Sequence, residues 1–208
     1  MNRPIADLLA DLRRAAEAEA FPVDEDVYRG FGRDPLAPIL YAGSTSAPIA
    51  FLGRDLGKDE VESAEPLVGQ AGRLVRDGLA RAAKGGLLTN TVPYKPPGNK
   101  EYARKVRERF RPFVAALLCS YWEGDRVITL GNVAYEWFRP YADAAAFDGL
   151  WDDVERRYAG EVEATIRCEW GGALLEKHVR LAPLPHPSPL NALWYSKFPE
   201  LLDARLAR

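Results

Sequence analysis

The chain has 208 residues, of which 47% are hydrophobic and 28% charged, and its formal net charge is -2. These values are typical of a soluble globular protein, and they argue against a large nonspecific nucleic-acid binder. No membrane-spanning apolar run or signal peptide is predicted, and two cysteines are too few for a disulfide framework or a four-thiolate metal site. We therefore expect a cytoplasmic protein with no bound metal.

Helices and strands alternate along the chain. Apolar residues at helical spacing predict a first helix near residues 5–12, and the stretch 21–47, rich in Pro, Gly and Asp, predicts a long connection with little regular structure. Further helices are predicted at 71–82 and 101–122, the second kinked or divided at Pro112. Short apolar runs predict buried strands at 48–52, 87–89 and 127–130.

A hairpin follows these elements. Residues 161–170 alternate strictly between apolar and polar side chains, which is typical of a half-exposed strand, and Gly171-Gly172 suits a two-residue turn. A last helix is expected near Ala192. The pattern predicts a three-layer α/β/α fold with a central, mainly parallel four-stranded sheet and an additional β-hairpin. We treat residues 1–208 as one domain, with a helix and connection in 1–47 and the core in 48–208.

Ligands in such folds gather at the carboxyl ends of the strands, where three conspicuous segments lie. These are Gly53–Gly57, Asn90–Asn99 and His186–Asn191. In the last segment three prolines restrict the backbone around His186, as the orientation of a catalytic side chain requires. A plain proline-rich connector with a surface histidine is the alternative interpretation.

These segments, in this order, resemble motifs of the uracil-DNA glycosylase superfamily over about residues 48–200. Gly53-Arg-Asp-Leu-Gly57 with the following Pro66–Gly72 is similar to the water-activating region of the bacterial thermostable-type enzymes. Asn90–Asn99 is similar to their base-reading strand end, and 127–132 to their next strand and turn. His186-Pro-Ser-Pro-Leu190 is the string found near the C-terminus of the classical enzymes. The resemblance implies a monofunctional glycosylase that flips a deaminated base, uracil foremost, out of DNA and hydrolyses its N-glycosidic bond.

The resemblance also implies roles for individual residues. Asp55 matches the catalytic aspartate, which would position water and stabilise the cationic sugar, although a turn-capping role is the competing interpretation. His186 would donate a hydrogen bond to the departing base. His178 is expected to face solvent. The base-binding residues would be Gly53, Arg54, Leu67 and Asn90.

Three features bear on base choice. The Asn90 amide offers both a donor and an acceptor to a base edge, although it could instead satisfy a turn. Leu67 stands where the family usually has a stacking aromatic residue. Gly57 stands where the classical enzymes have a thymine-blocking tyrosine. Exclusion of thymine must then come from elsewhere.

DNA contacts are expected from two regions. Ser188 would contact a phosphate, Leu190 would wedge into the vacated stack, and Asn191 would lie beside them. Residues 95–111 contain seven basic and two acidic side chains, although such a run is usually a solvated helix face. Its position after the base-reading segment favours a phosphate track. The residues assigned to this track are Lys95, Lys100, Arg104 and Arg107.

One departure from the thermostable-type family concerns its iron–sulfur cluster. Where the family motifs place two of the four cysteine ligands, this chain has Tyr94 and Phe110. We therefore expect no cofactor and hypothesise that packed aromatic side chains fill the volume of the cluster.

Three alternatives remain open. A non-catalytic glycosylase-fold protein would bind DNA without cutting it, and a related enzyme would prefer hypoxanthine or xanthine. An α/β nucleotide-binding protein would use Gly69-Gln-Ala-Gly72 as a phosphate loop, but this segment lacks the lysine of such loops. The favoured partner is DNA that contains a deaminated base. We expect the protein to be a monomer and to bind no membrane.

Overall fold

A computed structural model describes residues 3–189 and 191–208. Its central feature is a six-stranded sheet with the order β1-β3-β2-β4-β6-β5. The four inner strands, β3, β2, β4 and β6, run parallel, whereas β1 and β5 pair antiparallel at the two edges. The predicted fold class is therefore confirmed. The strands are β1 Tyr41–Gly43, β2 Ile49–Gly53, β3 Leu87–Asn90, β4 Arg126–Leu130, β5 Val162–Trp170 and β6 Ala173–Leu184.

Helices cover both faces of the sheet because its central strands are apolar on both faces. In β2, Ala50 and Leu52 join one core, and Ile49 and Phe51 join the other. The first core is closed by α1 and α5, and the second by α4 and α9. The helices are α1 Ile5–Ala18, α2 Glu25–Gly30, α3 Lys58–Ser63, α4 Gln70–Arg81, α5 Arg104–Ala116, α6 Asn132–Glu136, α7 Ala144–Asp152, α8 Ala192–Tyr195 and α9 Phe198–Leu206. None of the helices in the described ranges is long and apolar enough to cross a membrane.

The stretch 21–47 is more regular than the sequence predicted. It contains α2, where the Asp24 side chain accepts a hydrogen bond from the Val27 N–H, and β1, which pairs with β3. Both elements are too short to display a hydrophobic period, and both depend on tertiary partners for their stability.

Helix α5 also differs from the prediction, because it continues through Pro112 without dividing. Pro112 is exposed, whereas Val106, Phe110 and Val114 on the opposite face are buried in the core. We infer that this burial offsets the lost backbone hydrogen bond. The helix then widens into a π-helical turn at Leu117–Tyr121.

The β5–β6 hairpin confirms the predicted glycine turn. Gly171 and Gly172 have φ of 60° and 79°, a left-handed conformation that few other residues tolerate. Strand β6 then passes to the inner sheet and pairs with β4, so that Leu184 lies opposite Leu130. The hairpin therefore delivers the histidine segment to the same edge of the sheet as the end of β4.

Candidate active site

The site lies where the inner parallel strands end. Gly53 at the end of β2 pairs with Asn90 at the end of β3, and Leu130 of β4 pairs with Leu184 of β6. Asp55 and His186 each follow two residues after the last residue of their strand. Parallel strands present their carboxyl ends at one edge, so the three predicted segments converge there.

Asp55 is buried and forms an ion pair with its neighbour Arg54. The Asp55 side chain is 7% exposed, and the Arg54 Nε lies 2.9 Å from its Oδ2. Burial raises the pKa of Asp55 to about 6, because a carboxylate loses hydration there, and the positive charge of Arg54 opposes this rise. A carboxyl group with such a pKa can exchange a proton near neutral pH.

Backbone hydrogen bonds hold the Asp55 loop against the segment after β3. The Thr91 N–H donates to the Gly53 carbonyl at 2.9 Å, and the Leu56 N–H donates to the Tyr94 carbonyl at 3.3 Å. The Arg54 Nη2 donates to the Asn99 carbonyl at 2.9 Å. The two segments therefore form one connected wall.

Glu60 is a supporting residue that the sequence analysis missed. Its buried carboxylate accepts hydrogen bonds from the Gly57 N–H and the Gly69 N–H, both at 2.9 Å. It thereby joins the Asp55 loop to the segment that carries Leu67. The spacing from Gly57 to Glu60 is that of a helix capping box, and this signal was available in the sequence.

The amide of Asn90 is the most unusual polar group at the site. Asn90 is 1% exposed, and neither its Oδ1 nor its Nδ2 has a hydrogen-bond partner in the described structure. The turn-satisfying alternative is therefore not supported. A buried amide without partners costs about 1–3 kcal/mol. An unsatisfied amide at a strand end has the chemistry of a group kept available for a ligand.

Gly53 and Leu67 shape the space around this amide. A Cβ atom on Gly53 would lie 2.2 Å from the Asn90 Oδ1, so only glycine permits the observed position of the amide. The same Cβ would lie 3.2 Å from a Leu67 methyl carbon, which places Leu67 beside Asn90. Leu67 is buried and has a φ of 55°. The structure therefore brings Gly53, Leu67 and Asn90 together.

His186 lines the same cleft as Arg54. The histidine is open to solvent on one side, and the cleft walls partly desolvate its ring on the other. This desolvation lowers the pKa of His186, and the positive charge of Arg54 lowers it further. The imidazole is therefore neutral at neutral pH. Gly131, with a φ of 87°, allows the close approach, because a Cβ there would lie 3.0 Å from the His186 Cβ.

The cleft that contains His186 has a volume of about 320 Å³. Arg54 and Asn191 line it, as do Trp151 and Tyr158, which the sequence analysis did not identify as site residues. Asp55 is buried next to the cleft through its contact with Arg54. Arg54 thus touches Asp55 and also acts electrostatically on His186.

Two backbone hydrogen bonds connect His186, Ser188 and Asn191 after the end of β6. The Ser188 N–H donates to the His186 carbonyl, and the Asn191 N–H donates to the Ser188 carbonyl, at 2.9 and 2.8 Å. The proposed wedge residue Leu190 lies outside the described residues. His178 is exposed on β6, with its Nδ1 2.9 Å from the Thr165 Oγ1, as the sequence analysis expected.

The assignment of Lys95 to the phosphate track requires correction. Lys95 is 3% exposed, and its Nζ forms an ion pair with Asp24 at 2.6 Å and a hydrogen bond to the Pro96 carbonyl at 3.0 Å. A buried lysine with these partners cannot reach a phosphate without breaking them. We therefore assign Lys95 a structural role, joining the segment after β3 to the start of α2.

The other members of the track occupy different environments. Lys100 is exposed, and so is Arg104, which pairs with Glu108 at 2.6 Å. Arg107 is partly buried and pairs with Glu101. Lys105 and Arg109 lie towards α1, where both pair with Glu19. The basic run therefore divides between two faces of α5.

Tyr94 and Phe110 belong to a packed aromatic cluster. Together with Phe21 they form three ring pairs with centroids 5.1 Å apart, and Tyr102 packs 6.2 Å from Phe21. Tyr94 and Phe110 are fully buried, and neither side chain can act as a thiolate ligand. The residues present do not fit an iron–sulfur cluster. Within the described ranges, no group of His, Cys, Asp and Glu has the arrangement of a metal site.

Asp55 contacts Arg54, which lines the cleft together with His186, whereas neither Asp55 nor Asn90 lines that cleft. A carboxyl group with a pKa near 6 can direct water, a neutral imidazole can stabilise a departing anion, and a free amide can read a planar base. A hydrolase of the base-excising class uses groups of these three kinds. The family model described as Uracil DNA glycosylase superfamily matches residues 40–208, and the chain belongs to this superfamily. No curated protein matches the chain.

Membership in the superfamily supports DNA glycosylase activity and DNA binding.

Proposed function

We propose that this protein is a monofunctional DNA glycosylase that removes deaminated bases, with uracil as its principal substrate. The observation that carries the proposal is the unpartnered Asn90 amide, held at the strand end beside the Asp55 loop. The imide edge of uracil presents a carbonyl acceptor and an N–H donor side by side, which complements the donor and acceptor of one amide. Cytosine presents an amino group and a bare nitrogen there, so its pattern opposes that of uracil.

The reaction then needs two opposite charges to be stabilised. The bond between the base nitrogen and the sugar carbon breaks, and its electron pair leaves with the base. His186 donates a hydrogen bond to the uracil oxygen on which this negative charge accumulates, and a neutral imidazole can do so without transferring its proton. Its lowered pKa keeps the ring in that form at neutral pH.

Asp55 acts on the sugar side. Its carboxylate stabilises the cationic sugar and orients a water molecule, whose oxygen bonds to the sugar carbon while its proton passes to the carboxylate. The products are an abasic site and the base anion, which takes up a proton from solvent while Asp55 releases the proton that it received from water. The ion pair with Arg54 favours the ionised form of Asp55 despite burial.

DNA would reach the site across the segment that carries His186, Ser188 and Asn191 and across the exposed side of α5. Ser188 and Asn191 are proposed phosphate or backbone contacts, Leu190 is the proposed wedge, and Lys100, Arg104 and Arg107 are proposed to attract the strand electrostatically. We propose that the protein acts as a monomer.

An excision assay tests this proposal. Labelled oligonucleotides, each carrying uracil, hypoxanthine, xanthine or a mismatched thymine, are incubated with the protein and then treated with alkali to reveal abasic sites. We expect the fastest cleavage at uracil. His186→Ala should lower this rate by about 10²–10³-fold, because one stabilising hydrogen bond to the leaving anion is lost.

His178→Ala is the matched control, since it removes the chain's other histidine from an exposed strand position. It should leave the rate unchanged. DNA binding without abasic sites on any substrate would instead establish the non-catalytic alternative. Preferred cleavage at hypoxanthine or xanthine would retain the enzyme class and reject uracil as the principal substrate.

A further inference from the structure

A second cavity lies beside the cleft that contains His186. It has a volume of about 310 Å³ and lies between α5 and the segment 132–140 that follows β4. Glu101, Asn132 and Val133 line both spaces, so the two are adjacent. A strand that places one nucleotide in the cleft would therefore extend past this cavity.

The cavity lining contains four arginines and three glutamates. Its three glutamates each pair with one arginine, in the pairs Arg104–Glu108, Arg107–Glu101 and Arg139–Glu136, and Arg139 also pairs with Asp148 outside the lining. Arg111 is the fourth arginine, and it forms neither an ion pair nor a hydrogen bond with any described residue. Its Nε is buried without a partner. Glu108, one turn earlier in α5, is bound by Arg104 and interacts with Arg111 only through their charges. An anion that accepts a hydrogen bond from the Arg111 Nε would relieve the cost of leaving this buried donor unpaired.

Trp137 provides a second unsatisfied donor at the same place. It lines the cavity and is 2% exposed, and its indole N–H has no hydrogen-bond partner among the described residues. The guanidinium carbon of Arg111 lies 5.8 Å from the Trp137 ring centroid, which is within the range of a cation–π contact. Buried tryptophans usually satisfy this N–H. Two helical segments therefore bring unsatisfied donors to one cavity.

We propose that this cavity binds one phosphodiester group of the DNA strand, next to the extruded nucleotide, with Arg111 as its principal contact. The inference rests on the proposed function, because the nucleotide in the cleft sets the position of the strand. The unpaired Nε of Arg111 can donate to one oxygen of the singly charged phosphodiester. The planar fork of arginine also suits two oxygens of such a group. Arg104 lies about 10 Å further along α5, towards the next phosphates of the strand.

The test uses binding rather than excision. Single-stranded oligonucleotides carry one abasic analogue and, at successive positions, one neutral methylphosphonate in place of a phosphodiester. Fluorescence anisotropy then measures affinity over a range of salt concentrations. For the wild type we expect one methylphosphonate position to weaken binding by about tenfold. Arg111→Gln should weaken binding to the unmodified strand to a similar degree and lower the salt slope by about one.

The decisive measurement combines the two changes. In Arg111→Gln, the sensitive methylphosphonate should have no further effect, because the contact has already been removed. Lys105→Gln is the matched control, since Lys105 pairs with Glu19 towards α1. It should retain the full effect of the methylphosphonate. Trp137→Phe is a second variant, which removes the indole N–H and reduces the ring but keeps an aromatic face for Arg111, and it should weaken binding less than Arg111→Gln.

The inference would be overturned if wild type and Arg111→Gln were equally sensitive to the methylphosphonate. It would also be overturned if the wild type had no sensitive position. Competition by free inorganic phosphate as effective as that by the oligonucleotide would also reject it, in favour of an independent anion site. The proposed function is tested by a different result. A protein that makes no abasic sites but shows the Arg111-dependent effect would lose that function and keep this subsite.

Discussion

Asp55→Asn should abolish most of the excision activity and at the same time stabilise the fold at neutral pH. The substitution keeps the size of the side chain and removes the charge that we propose acts on the water and the sugar. Loss of a positioned general base or charge of this kind lowers rates by about 10²–10⁴-fold. The gain in stability follows from the raised pKa of Asp55, about 6, which shows that burial disfavours its ionised form.

The pH dependence of stability has a definite sign. The folded state holds the Asp55 proton more tightly than the unfolded state, so its contribution is fully present below about pH 4 and is lost as pH rises through about 6. Above that pH, Asp55→Asn should unfold with a free energy about 2–3 kcal/mol higher than the wild type. At pH 4 the two should differ little.

Excision by the wild type should fall as pH decreases through about 6, because the catalytic form of Asp55 is the carboxylate. Denaturant unfolding and single-turnover excision between pH 4 and pH 8 measure both effects. Asp59→Asn is the control, since Asp59 is an exposed acid at the start of α3. A stability difference that does not change with pH would show that the burial of Asp55 does not shift its ionisation.

The sequence predicted the central sheet because its strands are buried on both faces. An uninterrupted apolar run such as 49–52 predicts this environment directly. The sequence did not predict α2 and β1, which are held by a cap at Asp24 and by pairing with β3. The sequence also suggested that Lys95 lies on the surface. A sequence shows that a residue is charged, but it does not show that a distant residue pairs with it in the folded protein. The ion pair with Asp24 joins positions far apart in the chain.

The candidate site, too, was predicted only in part from the sequence. Motif order predicted that Asp55, Asn90 and His186 lie at one edge of the sheet, because parallel strands bring their carboxyl ends together. The sequence could not show that both polar atoms of Asn90 are unpartnered. This property arises from the pairing of Gly53 with Asn90 and from the missing Cβ at Gly53. Arg111 and Trp137 were missed because their significance depends on which neighbouring charges remain unpaired.

Asn90→Leu should increase stability and remove base selection. It replaces an unsatisfied buried amide by an apolar side chain of similar volume, next to Leu67. The free energy of unfolding should rise by about 1–3 kcal/mol, because the cost of the unpaired amide disappears. Uracil excision should become undetectable against background, since no donor and acceptor remain to read the base. Thermal unfolding and single-turnover excision measure the two effects.

Two companion variants separate chemistry from packing. Thr129→Val removes another buried, unpartnered polar atom. This atom is the Oγ1 of a residue in β4, which pairs with Leu52 of β2. It should raise stability without changing excision. Gly53→Ala keeps the Asn90 side chain but adds a Cβ atom that would lie 2.2 Å from the Asn90 Oδ1. It should therefore lower both excision and stability. If Asn90→Leu were instead destabilising, the amide would have partners in the folded protein, and its proposed role as a reader held free for the base would be wrong. The opposite signs expected for Asn90→Leu and Gly53→Ala thus test whether the protein maintains an unfavourable amide position for the sake of the ligand.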